Sequence, residues 1–82
     1  MEKQAIFDLI VKHAREVVPA LAGRDLGPDD SLRLLGANSV DRSEIILMTL
    51  EALSLNIPLV AMARAENLGQ LAEIMQRNTA GV

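Results

Sequence analysis

Cysteine, tryptophan and tyrosine are all absent from the sequence, and Phe7 is its one aromatic residue. The lack of cysteine excludes disulfide bonds and thiolate metal ligands. Hydrophobic residues make up 50% of the chain and are mostly aliphatic, a composition that favours helices over a β-rich fold. No apolar run approaches the roughly 18 residues of a membrane span, and no signal peptide is recognisable. We therefore expect a helical, cytoplasmic protein with no membrane partner.

An excess of basic residues is also missing. The chain has 8 Lys and Arg against 11 Asp and Glu, which gives a net charge of −3. Nucleic-acid-binding domains usually present a basic face, so this balance argues against a nucleic-acid partner. A chain of 82 residues holds one small core and has no room for a second. We expect residues 1–82 to form one discrete, monomeric domain.

Apolar residues recur at helical spacing in four segments of the chain. The pattern predicts an all-α fold, a small four-helix bundle with a short third helix and a long first loop. The predicted helices span about residues 3–18, 39–53, 59–63 and 68–76. Pro19 ends the first helix and Pro58 opens the third, whereas residues 78–82 are expected to fray.

The first loop, residues 20–38, is long for so small a domain, so it must be pinned to the core or disordered. Leu32, Leu34 and Leu35 offer apolar anchors, which favours a pinned loop. At its end Asn38 is a good N-cap for the second helix. Asp41 would then stand in the first turn, where a carboxylate complements the helix dipole.

Ser39 lies where this glycine-containing loop turns into an apolar, periodic helix. In the run Leu-Gly-Ala-Asn-Ser-Val-Asp-Arg, residues 35–42, its hydroxyl would be exposed beside the helix N-terminus. Backbone amides there favour a phosphate group, and Gly36, with no side chain, would leave the serine approachable. The run therefore predicts a serine that is itself modified and bears a prosthetic arm.

The same residues resemble the acyl carrier proteins, whose usual motif is Gly-x-Asp-Ser-(Leu/Ile/Val)-(Asp/Glu). The resemblance covers nearly the whole chain, including Ile57-Pro58 at the start of the third helix. It implies that a phosphopantetheinyl transferase attaches 4′-phosphopantetheine from coenzyme A to Ser39, and that the thiol then carries acyl groups as thioesters. It also implies that the protein is not an enzyme. Asn38 departs from the motif, because most members have Asp there.

Residues 36–45 are similar to a narrower group, the free-standing donor carriers of polyketide β-branching cassettes. The resemblance implies an acyltransferase that loads malonyl and a decarboxylating ketosynthase that converts it to acetyl. A hydroxymethylglutaryl-CoA-synthase-like (HMG-synthase-like) enzyme would then take the acetyl group for aldol addition to a β-ketoacyl chain on another carrier.

A stripe beside Ser39 is the expected partner surface. Helical spacing places Val40, Ser43, Glu44, Leu47 and Glu51 along it, with Val40 and Leu47 exposed. Apolar residues rimmed by carboxylates suit a transient interface. The other predicted partner residues are Asp41, Arg42 and Met62, although Met62 also suits flexible core filler.

Three other functions compete with this interpretation. A fatty-acid or peptidyl carrier would have the same arm with a different cargo. A helical interaction module would leave Ser39 unmodified, with a local hydrogen bond only. A Ser-His hydrolase needs a base against Ser39, and the one histidine, His13, is expected on the solvent-side rim of the first helix. No cluster of residues has the spacing of metal ligands.

Overall fold

The computed structural model describes residues 2–80, and the side chains of residues 2–79. Helices and turns, with no strand, make up the regular structure of this part of the chain. The helices are α1 (Lys3–Val17), α2 (Ser39–Ala52), α3 (Leu59–Met62) and α4 (Leu68–Ala80). A 3₁₀ turn, Pro19–Leu21, follows α1 and was not predicted from the sequence. The expected all-α architecture with a short third helix is confirmed.

The core is formed where α1 packs against α4 and α2, with α3 resting on α2. Its members are aliphatic side chains and methionine, as the composition predicted. The largest fully buried hydrophobic side chains are those of Ile6, Ile10, Leu21, Ile45, Met62, Leu68 and Met75. Burying an aliphatic side chain of this size stabilises the fold by roughly 1.5–3 kcal/mol, which offsets the ordering of a short chain.

His13 lies inside this core, and the expectation that it occupies a solvent-side rim was wrong. The residue is only 7% exposed, and its Nδ1 lies 2.7 Å from Oγ1 of Thr49 on α2. The hydroxyl of Thr49 in turn donates to the carbonyl of Ile45 at 2.9 Å. Both contacts are satisfied when the hydroxyl gives its single proton to Ile45 and the ring donates Nδ1–H to the hydroxyl. A buried polar bond thus joins α1 to α2.

Helix α4 continues to Ala80, so the predicted end near residue 76 and the frayed tail from residue 78 were wrong as far as Ala80. Two polar side chains in the last turn form hydrogen bonds with backbone carbonyls of the helix. Asn78 Nδ2 donates to the carbonyl of Ile74 at 2.8 Å, and Thr79 Oγ1 donates to that of Gln76 at 2.7 Å. The remainder of the predicted tail, residues 81–82, lies outside the described residues.

The long loop is pinned at its centre to the first turn of α4. The amides of Leu68 and Gly69 each donate at 2.9 Å, to the carbonyls of Asp30 and Pro28. Gly69 permits this approach, because an added Cβ would stand 3.0 Å from Pro28 Cβ and 3.1 Å from its carbonyl oxygen. Main-chain bonds therefore hold the loop in addition to its leucines.

Only one of the three leucines expected to anchor the loop is fully buried. Leu32 is buried and Leu35 is half-buried, as expected of anchors. Leu34, in contrast, is 87% exposed, so its assignment as an anchor was wrong. In a tight turn, adjacent side chains point to different sides, and sequence spacing alone did not show which would face the core.

Candidate functional site

Ser39 is the first residue of α2 and is exposed. Its position follows from Asn38, whose backbone is extended (φ −77°, ψ 178°) and whose side chain caps the helix. The carbonyl of Asn38 accepts the first helical bond, from the amide of Arg42 at 2.9 Å. The candidate serine therefore stands at the junction that the sequence predicted.

A reciprocal capping box fixes this junction. Asn38 Oδ1 accepts from the amide of Asp41 at 2.8 Å, and Asp41 Oδ2 accepts from the amide of Asn38 at 3.2 Å. The predicted capping role of Asn38 and first-turn position of Asp41 are both confirmed. Such a cap is worth about 1 kcal/mol, and it holds the backbone on both sides of Ser39.

The capping box leaves the amides of Ser39 and Val40 free of helical partners. The first four N–H groups of a helix, counted from the cap, have no intrahelical acceptor. Asn38 and Asp41 satisfy two of the four reciprocally, so the amides that remain are those of Ser39 and Val40. A phosphodiester on Ser39 would thus meet two donors at the positive end of α2. The residues present therefore fit a phosphopantetheine group.

The turn before Ser39 is held by its backbone and by Arg42. Gly36 has φ +102°, a conformation that L side chains rarely adopt. A Cβ added there would meet no atom of the protein within 4 Å, so Gly36 is required here for its backbone conformation, and its role in keeping Ser39 approachable to a partner stays a prediction. Arg42 Nη1 donates to the carbonyl of Ala37 at 2.8 Å, which ties α2 to the residue before its cap.

The predicted stripe on α2 is largely exposed. Val40 is 71% and Leu47 is 51% exposed, and Glu44 and Glu51 are exposed beside them. These four recur at helical spacing and share one face of α2. Ser43 is half-buried. The expected exposure of Val40 and Leu47 is confirmed, and two carboxylates lie along the same face.

Met62 does not belong to this surface. Only 2% of it is exposed, so its prediction as a partner-binding residue is corrected. It lies at the inner wall of a cleft between the loop, α2 and α3, together with Ile46 and Leu32. The four-residue α3 has one buried side, and the flexible Met side chain fills the gap beneath it.

Neither hydrolysis nor metal binding finds support at this junction. His13, the histidine a hydrolase would need, is bonded to Thr49 between α1 and α2. Within residues 2–80 no three His, Asp or Glu side chains are grouped so that they could hold a metal ion. Over the same residues, no helix has the length and apolarity needed to cross a bilayer.

Comparison with known proteins gives consistent matches over most of the chain. Residues 8–75 match the family described as phosphopantetheine attachment site. The chain is 48% identical, over 75 residues and 92% of each sequence, to the polyketide biosynthesis acyl-carrier-protein AcpK of Bacillus subtilis (strain 168). Its fold matches, with a TM-score of 0.87, a chain in the crystal structure of the curacin biosynthetic pathway HMG synthase in complex with acetyl donor-ACP. That match has 47% identity and covers 92% of this chain and 96% of the other.

These matches extend well beyond the serine motif, and they agree with the exposed hydroxyl and free amides at the start of α2. The chain therefore belongs to the phosphopantetheine attachment site family, and it is an acyl carrier protein whose cofactor is covalently attached 4′-phosphopantetheine.

Proposed function

We propose that Ser39 is the attachment residue and that the protein is the acetyl donor for an HMG-synthase-like enzyme in polyketide β-branching. The exposed position of Ser39 at the capped start of α2 is the observation that carries the proposal. Of the two serines in this part of α2, Ser39 is exposed and stands beside the free amides, whereas Ser43 is half-buried one turn later.

The donor role is supported by what the two relatives are. One is a polyketide acyl carrier protein, and the other is an acetyl donor carrier in complex with an HMG synthase. Both are nearly half identical to this chain over 92% of its length. The phosphopantetheine thiol supplies the chemistry, because it holds an acyl group as a thioester.

The chain's own residues present that group and catalyse no step. Asn38 and Asp41 fix the first turn of α2, and the amides of Ser39 and Val40 would donate to a phosphodiester on Ser39. His13 is buried against Thr49, which lies ten residues along α2 from Ser39, about 15 Å at the helical rise, so it is out of reach as a base at Ser39. All bond-making in this proposal belongs to the partner enzymes.

Four partner enzymes follow from this role. A phosphopantetheinyl transferase primes the carrier in the cytoplasm, where coenzyme A is available. An acyltransferase then loads malonyl, and a decarboxylating ketosynthase releases carbon dioxide from it to leave acetyl. The HMG-synthase-like enzyme finally accepts the acetyl group.

The α2 stripe is the proposed contact surface for these partners. Val40 and Leu47 supply apolar area that is lost to water when a partner covers it. Glu44 and Glu51 guide the encounter with a basic partner. Asp41 and Arg42 support this surface mainly by holding its backbone in place. Asp41 accepts from the amide of Asn38 in the cap, and Arg42 donates to the carbonyl of Ala37.

Intact-mass measurement tests the attachment site. The native chain, Ser39→Ala and Ser43→Ala are incubated with coenzyme A and a broad-specificity phosphopantetheinyl transferase. We expect the native chain and Ser43→Ala to gain one phosphopantetheine and Ser39→Ala to gain none. A gain by Ser39→Ala, or none by the native chain with an active transferase, would refute the proposed site.

A further inference from the structure

The exposed large apolar side chains occupy one part of the molecule. Among the described residues they all fall between residues 34 and 60, in the loop before α2, on α2 itself and on α3. They are Leu34, Val40, Leu47, Leu59 and Val60. Helices α1 and α4 show none over their described side chains. Single exposed apolar residues are normal on any surface, but these five are confined to the loop before Ser39, to α2, which begins with it, and to α3, which packs against α2. This restriction indicates an interaction surface.

Leu34 is the most exposed of the set at 87%, and it stands on a firmly held turn. Three backbone bonds close this turn. The amide of Leu35 donates to the carbonyl of Ser31 at 2.9 Å, that of Gly36 to Arg33 at 3.2 Å, and that of Ala37 to Leu32 at 3.0 Å. The side chains of Leu32 and Ala37 are buried on the inner side. Leu34 is therefore presented outward by a rigid support.

The same turn runs directly into the cap of α2. Ala37 is held by Arg42, and Asn38 is held by the capping box. The position of Leu34 relative to Ser39 is thus fixed through hydrogen-bonded backbone. The arm that holds the cargo leaves the carrier at Ser39, so a partner that receives the arm approaches the start of α2, where it can contact the turn before the serine as well as the helix after it.

We propose that Leu34 is a second apolar contact for the HMG-synthase-like enzyme. It precedes Ser39 in the sequence, whereas the α2 stripe follows it. The inference rests on the proposed function and is supported by the structural relative, which is a donor carrier in complex with such an enzyme. The side chain of Leu34 is apolar, although the exposed Arg33 precedes it, so the part of the synthase that receives Leu34 itself should be apolar. Contacts on both sides of Ser39 fix the direction in which the arm leaves the carrier.

The affinity of the holo carrier for the purified HMG-synthase-like enzyme tests this inference. Leu34→Gln keeps the side-chain length but replaces apolar by polar atoms, and Leu34→Met is the matched apolar control. We expect Leu34→Gln to raise Kd about 10-fold and Leu34→Met to stay within about 2-fold of the native carrier. Because Leu34 is exposed, both variants should retain the native helical circular dichroism signal.

The other outcomes separate this inference from the proposed function. An unchanged Kd in Leu34→Gln refutes the inference while leaving the donor role intact, as does an equal loss in both variants. A native holo carrier that fails to bind the synthase refutes the proposed function and the inference with it. If Leu34→Gln instead abolishes self-association of the carrier with no change in synthase affinity, the exposed leucine serves a second copy and the inference is wrong.

Discussion

The buried bond between His13 and Thr49 gives a quantitative prediction for stability. Thr49→Val replaces the hydroxyl by a methyl group of similar shape, so the core keeps its packing. In the native chain, His13 is 7% exposed and its Nδ1 lies 2.7 Å from the Thr49 hydroxyl. In Thr49→Val this nitrogen loses its acceptor inside the core. An unsatisfied buried polar group costs about 1–3 kcal/mol, which in a domain this small lowers Tm by about 4–8 °C per kcal/mol.

The double variant His13→Leu with Thr49→Val provides the control. Replacing both partners by apolar groups can be nearly neutral, whereas removing the acceptor alone leaves an orphaned donor. We therefore expect the double variant to be more stable than the sum of the two single changes predicts, with a coupling free energy of about 1 kcal/mol or more.

Urea unfolding followed by far-ultraviolet circular dichroism is the assay, because the chain has no tryptophan or tyrosine to report by fluorescence. The reasoning is refuted if Thr49→Val unfolds within about 0.3 kcal/mol of the native chain, or if the effects of the two changes are simply additive. Either result would mean that the ring nitrogen is satisfied without Thr49.

Three further predictions concern the junction and its surface. Gly36→Ala should lower the free energy of unfolding by about 1–2 kcal/mol, because φ is +102° there, and a stability equal to native in urea would contradict this. Asn38→Ala should lower the free energy of unfolding by about 1 kcal/mol through loss of the cap, whereas Asn38→Asp should leave it nearly unchanged. The added charge of Asn38→Asp should also speed priming by a basic transferase. Equal urea midpoints for the Ala and Asp variants would rule out the capping role. Leu47→Gln should weaken synthase binding several-fold, because Leu47 is an exposed apolar residue of the stripe. The affinity of the native carrier for the synthase should vary by less than about threefold between low and high salt. A much larger loss of affinity at high salt would show that charges dominate the interface.

The helical frame and the cap of α2 could be predicted from the sequence because their signals are local. Apolar periodicity specified the helices, and Asn38 followed three residues later by Asp41 specified the cap. The exposure of Val40 and Leu47 followed from the same periodicity. The attachment of the arm at Ser39 stays a prediction, since it concerns a covalent group and not a conformation.

The features that sequence reasoning missed depend on contacts between distant residues or on local direction. His13 lies three residues after Ile10 and seven after Ile6, so its spacing already placed it on the core stripe. A polar residue is predicted to be buried only when a hydrogen-bond partner is evident, and the partner of His13, Thr49, is 36 residues away in the sequence. The burial of Leu34 and Met62 was predicted wrongly because periodicity gives little information there. A tight turn and a four-residue helix have too few residues to show which side chains face the core.

Transfer of the acetyl group is the most direct test of the donor role. The holo carrier, loaded with acetyl, is mixed with the HMG-synthase-like enzyme and a second carrier that bears a β-ketoacyl chain. The masses of both carriers are then measured by intact-mass spectrometry. We expect this carrier to lose acetyl and the second carrier to gain the branched product, with no transfer from Ser39→Ala treated in the same way. Retention of acetyl on the native carrier, with the enzyme active on another donor, would contradict the account.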